Sequence, residues 1–244
     1  MWWFLMANQV LAQEYESQPC RAVPELAVQL AAGTVDSITP RGPTSRMAIA
    51  SGLLAAPASL QLDPALVRAS APGLVGDEEE FERVMADART CVYGAPNLLD
   101  GNPATAWCEG ASGPGVGEVV MFELPAGNLE IRNGYAKGPE RYTQNARARR
   151  VEVVLIGQGF EPAVQGTMHM SMPVLGRHEV DLADLDGWQP LPLPKWSVPP
   201  LAEIPGPPGA YKEQRPRFVA IRILSTWPGE KWQDTCISEV RSRR

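Results

Sequence analysis

From Cys91 to the C-terminus the hydrophobic positions fall into short runs, many of them bounded by Gly, Pro or polar residues. Val119 to Leu124, Leu129 to Tyr135, Arg150 to Ile156, Thr167 to Pro173, Phe218 to Leu224 and Cys236 to Val240 are rich in Val, Ile and Leu, which suit a pleated, half-buried surface. These runs predict strands of an antiparallel sandwich. Asp77 to Arg89 (DEEEFERVMADAR) puts Phe81, Val84, Met85 and Ala88 on one helical face behind an acidic first turn, and predicts a short amphipathic helix. Glu25 to about Gly76 has no sustained period and reads as loop with short helices. Met168, Met170 and Met172 alternate with Thr167, His169 and Ser171, and are read as core-facing filler in a strand.

Prolines 190, 192, 194, 199, 200, 205, 207, 208 and 216 interrupt this pattern. Such a segment cannot form a helix or a central strand, so 190–216 reads as a long, semi-rigid insertion. Three regions follow: 1–12, a truncated signal peptide; 13–90, a loop and helical region; and 91–244, a sandwich carrying the insertion. The signal reading rests on apolar Trp2 to Met6 and on Val10 and Ala12 ahead of Gln13. It implies a secreted or periplasmic protein.

Composition narrows the function. The chain has 244 residues, 44% hydrophobic and 20% charged, with 22 Gly and 24 Pro, a turn-former load that disfavours a helical bundle. A formal charge of -6 excludes general nucleic-acid binding, because phosphate neutralisation needs a cationic face. Apolar runs stay far below the roughly 20 residues of a membrane span. Cys20, Cys91, Cys108 and Cys236 lack C-x-x-C spacing, which disfavours zinc and permits two disulfides in any of three pairings.

Little points to catalysis. His169 and His178 stand apart from any triad or zinc pattern, and nucleotide-loop and hydrolase motifs are absent. Asp100 with Glu109 is a carboxylate pair of the kind glycoside hydrolysis uses. Asn97 to Trp107 (NLLDGNPATAW) instead gathers carboxylate, carbonyl and hydroxyl oxygens in one tight turn, as a hard cation such as calcium prefers. Sugar sites combine aromatic faces with planar polar side chains. Tyr135, Arg141, Tyr142, Asn145 and Arg147 offer one such set, and Lys231, Trp232 and Asp234 a second. Trp107 reads as a core plug. Arg141, Arg147, Arg149 and Arg150 form a basic cluster suited to an anionic sugar, a phosphate or a solvated strand edge.

Asn97 to Gly110 (NLLDGNPATAWCEG), Asn133 to Arg147 (NGYAKGPERYTQNAR) and Trp227 to Val240 (WPGEKWQDTCISEV) resemble, in that order, the discoidin-like, coagulation-factor type C domain of bacterial NAD glycohydrolase toxins. The resemblance covers roughly Cys91 to Arg241. It implies an all-β, galactose-binding-like jelly-roll sandwich behind a partly helical N-terminal region. It also implies a non-catalytic glycan-binding module, with loops at one end contacting sugar. The alternatives are a structural module of the cell envelope with a protein partner and no sugar, and, ranked last, an enzyme acting on glycans or nucleotides. Carried over by position, Asp100, Asn102, Thr105 and Glu239 match the ligands of a structural calcium. Cys108 and Cys236 sit in the motifs that recur together in that family, which implies their pairing and leaves Cys20 for Cys91.

Overall fold

The computed structural model describes residues 20, 22–32, 48–57, 59–70, 78–162, 168–171, 174–196 and 215–243. The signal-peptide reading, and the middle of the proline-rich insertion, lie outside the described residues. In chain order the elements are α1 (Glu25–Ala32), β1 (Ala48–Ala50), α2 (Pro64–Ser70), α3 (Glu78–Thr90), a 3-10 turn (Ala95–Leu98), β2 (Trp107–Cys108), β3 (Val119–Glu123) and β4 (Leu129–Asn133). There follow α4 (Pro139–Gln144), β5 (Ala146–Pro162), β6 (Met168–Ser171), β7 (Val174–Asp181), β8 (Trp188–Leu191), β9 (Arg215–Trp227) and β10 (Thr235–Ser242).

The strands hydrogen-bond in the order β1-β3-β9-β5-β10-β4-β8, with β2 added to β10 and β6 and β7 to β5. Every pairing among these strands is antiparallel except one. At Thr235↔Ala146 and Cys236↔Arg147, β10 meets β5 in parallel, and there the path folds back into a second layer. The main core is the space between the layers: Val120, Phe122, Val151, Val153, Val219 and Ile221 face Leu129, Ile131, Leu191, Ile237 and Val240. The result is a mostly β sandwich, as the strand pattern and the resemblance imply.

Residue alternation explains why some runs are continuous and others broken. Along β3, Val120 and Phe122 point into the main core, while Val119 and Met121 belong to a second cluster with Val154, Ile156, Phe218 and Ala220. That second cluster is closed by Leu26 and Leu30 of α1. A strand covered on both faces needs apolar residues at every position. Where α1 does not reach, the outward positions of β5 are charged: Arg150 pairs with Asp181 and Glu152 with Arg177. Residues 150–156 (RVEVVLI) therefore change from alternating to continuous at the point where the helix cover begins.

The ends of the proline-rich segment differ from the sequence expectation. Pro190 lies within β8, opposite Glu130, and Pro216 near the start of β9, opposite Gly157. Both obey the physical rule. β8 ends the strand path, where a missing amide is tolerated, and Pro216 sits just beyond a register shift between Ile156 and Gly157.

Two disulfides lock β2 to β10 and the N-terminal region to the end of α3. Cys108–Cys236 bridges directly opposite residues of β2 and β10, 128 residues apart, and Cys20–Cys91 spans 71. Loop closure of that length stabilises a chain by about 4–5 kcal/mol in the entropic description. Both pairings are those the resemblance implies, and such bonds persist in oxidising compartments. Among the described residues no helix is long and apolar enough to cross a membrane.

If α1 is part of the core, Leu30→Ala should lower unfolding free energy by about 2–5 kcal/mol. Urea titration of the purified variant measures it, and a change below about 0.5 kcal/mol, typical of a surface position, would show that the helix does not cover the sheet.

Candidate functional site

The first candidate region is the turn that leads into β2. Asp100 Oδ1 accepts the Asn102 amide at 2.7 Å and Oδ2 accepts the Thr105 hydroxyl at 2.7 Å. Asn102 Oδ1 accepts the Ala104 amide at 3.1 Å, and Gly101 adopts φ +77°, which glycine reaches without strain. Asn97 fastens the turn from below, donating to the carbonyls of Ala106 (2.8 Å) and Val92 (3.0 Å). Trp107 is fully buried as a core plug, its indole N–H donating to Gly52 O at 3.0 Å.

Glu239 of β10 comes up against this turn. It is 3% exposed, and its pKa is pushed up to about 8, first by burial and then by the neighbouring Asp100 carboxylate. Its Oε2 is buried without a hydrogen-bond partner among the described residues. The structure thus brings the turn carrying Asp100, Asn102 and Thr105 together with Glu239. Glu239 keeps its proton through neutral pH and shares it with Asp100, so this pair of carboxyls and the Thr105 hydroxyl fit a hard cation only once that proton is lost. No group of three or more His, Cys, Asp or Glu side chains forms a metal site among the described residues, so carbonyl or hydroxyl oxygens would complete the shell.

Glu109 is a second buried carboxylate. Its oxygens accept the backbone amides of Thr235 (3.0 Å) and Ala111, and burial, with Asp234 and Glu118 nearby, raises its pKa to about 7. Gly115, at φ +66°, packs so closely on this side chain that a Cβ has no room. Both oxygens of Glu109 are therefore committed to joining the 109–115 loop to β10. Its partners are backbone amides, and residue type does not reveal which amides those will be.

The second region is the end of the sandwich where three loops meet. Arg147, at 7% exposure, pairs in bidentate fashion with Asp184 (2.9 and 2.7 Å) and donates to Asn145 O (2.9 Å) and Pro228 O (3.0 Å). The Tyr142 hydroxyl donates to the same Asp184 at 3.0 Å, and its ring lies 5.1 Å from the guanidinium. Burial and Asp184 push the Tyr142 pKa well up, while Arg147 holds the Asp184 carboxyl below its ordinary range. A buried guanidinium is tolerated here because its donors have partners. Asn145 is also buried, donating to Arg141 O at 2.8 Å. Tyr142, Asn145 and Arg147 are thus a floor that stitches 139–147, 182–187 and 228–234 together.

The other sugar-contact candidates are exposed or partly exposed. Arg141 and Lys231 are exposed, and Trp232 is 45% exposed with the Lys231 ammonium 5.0 Å from its ring centroid. Tyr135 is half-buried, edge-on to Tyr93 at 6.1 Å. Asp234 is partly exposed, its carbonyl accepting the Ala146 amide at 3.1 Å. Both segments are locked by backbone bonds, since the amides of Lys231 and Trp232 donate to Gln144 O at 3.1 and 2.8 Å. Asp184, central to this network, carried no sequence signal: nothing in DLADLDG marks which acid meets an arginine 37 positions earlier.

The two raised carboxyls set a pH dependence. Below about pH 4.5 folded and unfolded chains both hold these protons; from there to about pH 8 the folded chain holds more, so stability falls as pH rises. Urea unfolding at pH 5, 6.5 and 8.5 should show declining stability, and Glu239→Gln should flatten the decline. A profile that rises across this window would contradict the burial of both acids.

No curated protein matches the chain at the sequence level. Among solved structures, the arabinofuranosyltransferase AftD from Mycobacteria aligns at TM-score 0.39 and 12% identity, over 81% of this chain and 11% of its own. A Ruminococcus gnavus fucosidase, solved in complex with fucose, aligns at TM-score 0.30 and 11% identity, over 90% of this chain and 29% of its own. The chain therefore spans a small part of either protein. Residues 78–170, from α3 through β5 and into β6, match the NAD glycohydrolase translocation F5/8 type C domain, the discoidin-like domain that the sequence motifs resemble.

Proposed function

We propose that this protein is a non-catalytic glycan-binding module, secreted or periplasmic, whose sugar surface is the loop end formed by residues 133–147 and 228–235. Domains of the F5/8 type C kind are commonly carbohydrate-binding and typically non-catalytic. The observation that carries the reading is the way this end is built. A buried Arg147 and Tyr142, both bonded to the exposed carboxylate of Asp184, fix the loops, and the same segments carry exposed Trp232, Arg141 and Lys231 and half-buried Tyr135. A preformed surface of this composition avoids the entropic loss of ordering loops on binding.

A calcium ion belongs to the same proposal. Asp100, Glu239, the Thr105 hydroxyl and an Asn102 oxygen would hold it, and the ion would neutralise the two carboxylates and pin the turn to β10. Two disulfides support an extracytoplasmic location.

A glycan array followed by calorimetry tests the sugar reading. Trp232→Ala should weaken a captured glycan about two- to tenfold, the ~0.5–1.5 kcal/mol an aromatic contact adds. An array with no bound member would dismiss it. For the ion, millimolar calcium should raise Tm more at pH 8 than at pH 6, because Glu239 must lose its proton, and Glu239→Gln should lose the response. An unchanged melting curve with chelator and with calcium would remove the ion.

A further inference from the structure

Most arginines of the sandwich are spent on carboxylates. Arg132 meets Asp186 at 3.0 Å, Arg147 meets Asp184 at 2.7 Å, Arg150 meets Asp181 at 2.7 Å and Arg241 meets Glu130 at 3.0 Å. Of the basic cluster visible in the sequence, Arg147 and Arg150 are thereby neutralised. Lys137, Arg141 and Lys231 differ: among the described residues none has a carboxylate within ion-pair distance, and all three are exposed. They occupy the two segments that the Gln144 carbonyl joins.

One of these cations stands over an aromatic ring. Lys231 Nζ sits 5.0 Å over Trp232. Arg141 acts on the Tyr135 phenol, opposing the rise in pKa that burial and Tyr93 impose. The acids of the same segments are turned to other work or left apart. Glu140 accepts the Gln144 side-chain amide at 2.8 Å, and among the described residues neither Glu140 nor Asp234 forms an ion pair with Arg141 or Lys231. Glu230 is exposed and adjacent to Lys231, yet the ammonium lies over the ring and forms no ion pair with that carboxylate.

A ring beside an unpaired cation offers two contacts at once: a face for sugar C–H groups and a charge-assisted donor for an anionic substituent. We propose that the saccharide bound at this end carries a negative charge, as carboxylate or sulfate, set against Arg141 and Lys231 with its ring on Trp232. The inference rests on the glycan-binding reading and adds the chemical class of the ligand.

The test uses the full chain and a panel in which each acidic glycan is paired with its neutral counterpart: oligogalacturonate with its methyl ester, and a sulfated glycan with its desulfated form. Acidic members should bind about tenfold more tightly than their neutral partners, as charge-assisted bonds outweigh neutral ones. Added salt should weaken them. Arg141→Gln and Lys231→Gln should each erase most of that preference with Tm unchanged, since both side chains are exposed. Equal binding of neutral and acidic partners, or a preference untouched by both substitutions, overturns the inference and leaves glycan binding standing. Inorganic sulfate competing as well as the sulfated glycan also overturns it, because the ring would then contribute nothing. Failure of the whole panel removes the glycan reading itself.

Discussion

Strand β10 is the constraint on which the other elements depend. Its first residues serve three partners: β2 through Cys236↔Cys108 and Ile237↔Trp107, β5 through the short parallel join, and β4 further along through Glu239↔Arg132 to Ser242↔Leu129. Thr235 to Val240 are all buried. One strand therefore carries the fold-back that makes two layers out of one hydrogen-bonded path. The Cys108–Cys236 bond adds a covalent lock where the ladders are shortest. Both candidate regions are consequences of this arrangement. Glu239 can press against the Asp100 turn only because β2 is held on β10, and 228–234 can dock on α4 only because β10 starts beside β5.

Hydrophobic runs made the long strands legible. Val119 to Leu124, Phe218 to Leu224 and Cys236 to Val240 all lie within or nearly within observed strands, since buried runs leave a strong compositional trace. β1 and β2, of three and two residues, are too short to leave any periodicity. β7 (VLGRHEVD) is half-exposed and contains Gly, and β8 carries Pro190, so tertiary pairing overrides weak local preference in both. The helix α4 did have a local signal, a proline at its first position after Gly138. α1 is an apolar eight-residue piece whose role appears only when the outer face of β3, β5 and β9 is seen to need cover.

The proposed sugar-binding end was legible as composition and not as depth. Aromatic and basic residues in 133–147 and 227–235 identify the segments, but a sequence does not distinguish an arginine that meets solvent from one sunk among carbonyls. Arg141 and Arg147 illustrate this: six positions apart, one is exposed and the other is buried by the company of Asp184, Asn145 O and Pro228 O. Burial of Arg147 converts charge into rigidity, and exposure of Arg141 keeps charge available. Under the proposed function, stability and recognition would be divided between neighbouring residues of one loop.

The most direct test of that division is amide chemical-shift mapping of isotope-labelled full-length protein titrated with a glycan captured from the array. Perturbations confined to the amides of 135–145 and 228–235, with the Arg147 guanidinium signal unshifted, are the expected result. Perturbations centred on another face of the sandwich, or a displaced Arg147 signal indicating that the loops reorganise to bind, would contradict a preformed sugar surface at this end.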